Sequence, residues 1–455
     1  MSSYHFPANF LWGAATSAYQ IEGDPLADGA GASIWHRFAH TPGRVANGDT
    51  GDRACGHYRR WAEDVALLAE LGMTAYRFSV AWGRVLPDGR GAVNQRGLDF
   101  YRRLVDALVE RGITPMLTLY HWDLPAALQD RGGWRNPDSP AWFADYAQVL
   151  FHALDDRVPL WVTINEPWVV TIPGHVDGEL APGLRDLDAA PRVAHHLLLA
   201  HLAAVAAYRA SGRHQIGIAV NLEPQHPASA ALADQMAAQR RDAFINRWFL
   251  DLLLLGSYPP EMAEIFGAAW PEEFTPISNP PNPPFSKGGE SSPTTDFIGV
   301  NYYSRGLVQA EPTVRPLGAR RVSPAAEVPI TTMGWEVYPA GLTATLLWLR
   351  ERYGALPLYI TENGAAFADP PAAHGVIDDA QRVDYLRSHL HAAALALAQG
   401  VDLRGYFAWS LLDNFEWAHG YAQRFGLVQV DPLTLVRTPK RSASVYRDVI
   451  RRGGI

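Results

Sequence analysis

The chain has 455 residues, 48% hydrophobic and 19% charged, which supplies a large apolar core and shows no compositional sign of disorder. Its formal net charge of -8 is scattered along the sequence, so nucleic acid is a poor partner. The longest aliphatic run, residues 252–255, falls far short of the ~20 apolar residues that span a bilayer, so no membrane association is expected.

Short apolar runs suited to buried parallel strands fall at 10–13, 75–79, 114–119, 161–164, 216–221, 297–301, 358–361 and 403–409. Helical spacing fills the intervals. Trp61, Val65, Leu68 and Leu71 precede Gly72, and Leu104, Val105, Leu108 and Val109 precede Gly112. Val383, Leu386, Leu390 and Leu397 repeat the device before Gly400. Eight strand and helix units in alternation predict an α/β fold of the (β/α)8 TIM-barrel type, closed rather than open, in a single domain 1–455. Residues 279–293, rich in proline, glycine and serine, read as an exposed loop insertion before the sixth strand.

Cys55 is the only cysteine, which removes intrachain disulfides and thiolate metal clusters. It reads as a small buried hydrophobe. The first ten residues hold no basic region followed by an apolar core, so a cytoplasmic location is expected. His195 and His196 are adjacent on a predicted helix and diverge, so they are assigned no metal and no role.

In a barrel of this kind the groups that act together lie past the carboxyl ends of different strands. The fourth strand ends in Thr163-Ile164-Asn165-Glu166-Pro167 and the seventh in Ile360-Thr361-Glu362-Asn363-Gly364. Taken singly, either is a strand end with a solvated glutamate. Together they offer the two carboxyl groups that acetal chemistry needs, one to protonate the departing oxygen and one to attack or to activate water.

Those two segments resemble the acid/base and nucleophile motifs of family 1 glycoside hydrolases of the β-glucosidase type. Phe10-Leu11-Trp12-Gly13-Ala14-Ala15-Thr16-Ser17-Ala18-Tyr19-Gln20-Ile21-Glu22-Gly23 is similar to that family's amino-terminal signature. The resemblance implies a retaining enzyme in which Glu166 is the acid/base and Glu362 the nucleophile, with carboxyl groups ~5 to 5.5 Å apart. It further implies that Arg77 pairs with the nucleophile, that Tyr303 hydrogen bonds it, and that Asn165 and Asn301 support the pair. Gln20, His121, Trp122, Asn165, Trp409, Glu416 and Trp417 resemble the glycone subsite. Trp335 resembles the aglycone floor, with Trp168 and His175 expected nearby. No cofactor and no metal are implied.

Glu416 stands where family members acting on 6-phosphorylated sugars carry a small residue, and a carboxylate repels phosphate. The expected partner is therefore a small β-glycoside of an unmodified sugar, glucose first and galactose or fucose next. Transglycosylation on the same scaffold, and an inactive sugar-binding module, are the alternatives. Monomer and homo-oligomer fit the sequence equally.

Overall fold

The computed structural model describes residues 4–272, 274, 294–373 and 375–455. Eight strands make up the barrel: β1 (Leu11–Ala15), β2 (Ala75–Ser79), β3 (Thr114–Tyr120), β4 (Leu160–Asn165), β5 (Gln215–Asn221), β6 (Ile298–Tyr302), β7 (Leu358–Asn363) and β8 (Leu403–Trp409). All pair in parallel with their sequence neighbours. The ring closes where β1 meets β8, Leu11 opposite Gly405 and Ala15 opposite Trp409.

Covering on both faces explains why these strands are apolar throughout. Met116, Leu160, Phe297, Tyr359 and Phe407 fill the inside of the barrel, whereas Leu117, Trp161, Ile298 and Ile360 point out beneath the helices. Gly13 leaves room for this plug, because a Cβ there would lie 2.6 Å from the Phe407 ring. The helices follow the expected stripe. Gln95–Glu110, for instance, buries Leu98, Tyr101, Leu104, Val105 and Leu108 on one side.

Two features depart from a plain alternation. The crossover after β5 is a broken helix, Leu232–Asp242 and Trp248–Leu255, joined by a π-helical turn at Ala243–Arg247. A separate three-stranded sheet forms from Gln225–Pro227, Gly306–Ala310 and Ala319–Arg321, in the chain just beyond the carboxyl ends of β5 and β6. The expected loop at 279–293 lies outside the described residues. Among those described, no helix is long and apolar enough to cross a membrane.

Candidate active site

The carboxyl ends of the strands are where the sheet becomes irregular. Pairing of β7 with β6 slips between Ile360 and Glu362, so that Glu362 sits opposite Asn301, and pairing of β4 with β5 slips between Val162 and Asn165. Such bulges re-aim side chains. Glu362 consequently belongs to its strand rather than following it, one residue deeper than the sequence suggests.

Glu166, the residue after β4, lies in the left-handed region, at φ 49 and ψ 67. A non-glycine residue is held there at a cost of about 1–3 kcal/mol, and the turn delivers the chain directly into the short helix Pro167–Ile172.

A continuous hydrogen-bond network joins the two glutamates. Arg77, 1% exposed, donates to Glu362 Oε1 at 2.6 Å and to Asn165 Oδ1 at 2.6 Å. Tyr303 donates its hydroxyl to Glu362 Oε2 at 2.6 Å. Asn301 Nδ2 donates to Glu166 Oε1 at 2.7 Å and to Asn165 Oδ1 at 2.9 Å. Because Asn165 Oδ1 accepts from both neighbours, its amide nitrogen is the group facing His121 Nε2, 3.1 Å away. The His121 proton then sits on Nδ1, which has no partner among the described residues.

The two carboxyl groups have unequal surroundings. Burial and the nearby Glu362 charge push Glu166 up to about 8. Burial also raises Glu362, but the Arg77 guanidinium and the Tyr303 hydroxyl oppose it. With a cation 2.6 Å away, Glu362 is the first of the pair to ionise. Burial, and then the Glu362 charge, push Glu416 up to about 8 as well. His121 is held well below its ordinary value by burial and then by Arg77, and is neutral.

Above the glutamates opens a cleft with about 1230 Å³ of empty space, lined by His121, Trp122, Trp335, Trp409, Glu416 and Trp417 among others. Trp409 and Trp417 lie 5.9 and 6.0 Å from the His121 ring and nearly parallel to it. Trp122 and Trp417 both adopt positive φ, 77 and 49, which turns their rings into the cleft 4.7 Å apart. Gln20 stands behind this wall. Its Oε1 accepts from Ser17 and its Nε2 reaches Asn414 Oδ1, the Phe415 carbonyl and, at 3.5 Å, Glu416 Oε2.

On the other side Trp335 packs 5.3 Å from Tyr303, and Trp168 also lines the cleft. The structure corrects His175. It is wholly buried in the π-helical turn Pro173–Asp177, its Nδ1 2.8 Å from the Val170 carbonyl, and does not reach the cleft. Met333, two residues before Trp335, also lines the cleft, and Phe425, Glu179, Glu223, Arg241 and Arg321 line it with no motif around them that would have marked them in the sequence.

His195 and His196 lean apart, toward the Tyr258 hydroxyl at 2.9 Å and the Trp134 carbonyl at 2.8 Å. Among the described residues only His36, His40 and Asp52 come close enough to share a cation, and none of the three lines the cleft.

The model of glycosyl hydrolase family 1 matches residues 2–455. The chain belongs to glycosyl hydrolase family 1. It is 48% identical to β-glucosidase A of Thermotoga maritima and 44% identical to β-glucosidase A of Acetivibrio thermocellus, in each case over 100% of both chains. A solved family 1 β-glucosidase from Thermotoga maritima superposes with a TM-score of 0.93 at 46% identity, covering 100% of each chain. The same family 1 enzyme in complex with isofagomine lactam gives 0.93 at 48% identity, again over 100% of each chain.

Proposed function

We propose that this chain is a retaining β-glucosidase that hydrolyses terminal non-reducing β-D-glucosyl residues of O-glycosides by double displacement. The observation that carries this reading is an asymmetry. Two buried glutamates share Asn301, yet only Glu362 is gripped by a guanidinium and a phenol.

Glu362, ionised, attacks the anomeric carbon while Glu166 gives its proton to the departing glycosidic oxygen, so the C–O bond breaks as the ester bond forms. Esterification removes the Glu362 charge that had raised Glu166. The acid has by then become a carboxylate, which takes a proton from water as that water attacks the same carbon. Each step inverts the centre, and the β configuration returns.

Recognition follows from donor and acceptor types. Glu416 and Gln20 bind the outer hydroxyls, His121 and Asn165 the inner ones, and Trp409 stacks on the sugar face. Trp335 and Trp168 floor the aglycone. A second glucose, as in cello-oligosaccharides, or an aryl or alkyl group fits such a floor, which makes cellulose breakdown products natural substrates. The whole chain acts as one catalytic unit with 279–293 as an insertion, in the cytoplasm, with no nucleic acid or membrane partner.

The test is turnover of 4-nitrophenyl β-D-glucopyranoside by the purified chain, followed by proton NMR. β-Glucose is expected as the first product, mutarotating later to α. If α-glucose comes first, or if no glucoside is cleaved, the reading fails.

A further inference from the structure

The outer part of the cleft holds a cation with too few partners. Arg241, near the end of the helix Leu232–Asp242, lines the cleft with its side chain only 16% exposed, yet among the described residues its one ionic contact is Glu223 Oε1 at 3.5 Å. Its Nε is buried with no hydrogen-bond partner among the described residues.

Glu223 is already committed elsewhere. Its Oε2 lies 3.1 Å from Arg321, and its Oε1 accepts from Gln225 at 3.0 Å. Two guanidiniums therefore share one carboxylate, leaving a local charge of about +1. The neighbouring ionic groups do not cancel it. Asp242 faces Arg247, and Glu336 faces Arg305. Glu179, the remaining acidic group of this outer cleft, is exposed to solvent.

A covered, incompletely neutralised guanidinium is unfavourable unless an acceptor arrives, and a planar fork of donors matches a carboxylate better than a lone hydroxyl. We propose that Arg241, assisted by Arg321, forms an outer aglycone subsite selective for β-glucosides whose aglycone carries a carboxylate. The inference rests on the β-glucosidase reading and adds a substrate class to it. Glu223 fixes the spacing of the two guanidiniums, and the buried, unpartnered Asn221 Oδ1 beside them accepts from any hydroxyl next to the acid group.

Two matched pairs test this: 4-carboxyphenyl against 4-carbamoylphenyl β-glucoside, and the β-1,4-glucosyl glucuronate disaccharide against cellobiose. In at least one pair, kcat/KM is expected to favour the acid by about 10-fold or more over its neutral partner. That preference is expected to fall toward 1 in Arg241→Gln and, in the native protein, with rising NaCl. The pair that responds tells an aryl acid from a uronic acid.

Equal rates within both pairs would overturn the proposal, as would a preference that survives in Arg241→Gln or a variant that slows both members equally. Should Arg241→Gln fail to fold, Arg321→Gln and the salt series carry the same readout. Failure on 4-nitrophenyl β-glucoside itself would instead refute the β-glucosidase reading.

Discussion

Two carboxyl groups of one chemical type are driven to opposite protonation states by what touches them. Glu362 faces Arg77 and Tyr303, whereas Glu166 faces one amide and the negative field of Glu362. In the proposed roles, the nucleophile is lost below the value at which Glu362 ionises, and the acid is lost above about 8. A bell-shaped kcat/KM profile is therefore expected, its alkaline limb near pH 8. Replacing Arg77 with Met removes the opposing charge, so the acid limb should move up by about 1–3 pH units. An unmoved acid limb in Arg77→Met would mean that another group sets it. Glu166→Gln should lower kcat/KM for alkyl glucosides by about 10²–10⁴ and affect activated aryl leaving groups far less, since those need little protonation. Steady-state kinetics on both classes would reveal an equal loss, which would contradict the acid role.

Eight strands were legible because parallel strands covered on both faces must be apolar runs, and the glycine-terminated helical stripes between them set the alternation. Both glutamates were legible because they end strands on which a barrel places its chemistry. The bulges in β4 and β7 were not, since slipped pairing leaves no mark on residue type. Nor were the left-handed turns at Trp122, Glu166 and Trp417, where no glycine signals positive φ. The sheet of Gln225–Pro227, Gly306–Ala310 and Ala319–Arg321 escaped because two of its strands are only three residues long and mostly polar, too short to show an alternation. His175 lies within a helix rather than on its cleft face, a direction that resemblance alone does not give. The tight end of β7 has its own consequence. A Cβ on Gly364 would lie 1.8 Å from the Trp409 carbonyl, so Gly364→Ala must separate the ends of β7 and β8. A loss of about 1–3 kcal/mol and a lower kcat are expected, measured by thermal melts and kinetics. A variant with native Tm and kcat would show that this approach is not tight.

Across the whole molecule, buried ion pairs tie the end of the chain back to the barrel. Lys440 Nζ bonds Asp369 at 2.6 Å and Asp413 at 2.8 Å, and Arg382 bonds Asp369 and Asp379 at 2.7 and 2.6 Å. Removing one cation strands carboxylates in the core, so Lys440→Met should cost about 3–5 kcal/mol and depress Tm. An unchanged Tm would contradict a structural role for the cluster.

The same groups shape stability against pH. Burial raises Asp64 and Asp369, but hydrogen bonds from His57 and Arg437 in one case, and the charges of Arg382 and Lys440 in the other, outweigh it and leave both low. Their contribution is present above the ordinary carboxylate value of about 4 and is lost as pH falls below it. Glu166 and Glu416, raised to about 8, act in the reverse sense, costing stability as pH climbs from about 4 to 8. Buried His175, His201 and His389, pushed down to about 4, act in the opposite sense and gain stability as pH rises to about 6.5. Tm should therefore decline from about pH 6.5 to 8 and again below about 4. A Tm rising steadily from pH 5 to 8 would overturn these assignments.

The division of labour between the two glutamates is tested most directly by removing one of them and supplying azide. Glu362→Gly should not turn over aryl β-glucosides, yet azide entering the vacated space should attack from the opposite face and yield the α-glucosyl azide, identified by NMR. A β-glucosyl azide from that variant would mean that Glu362 is not the nucleophile.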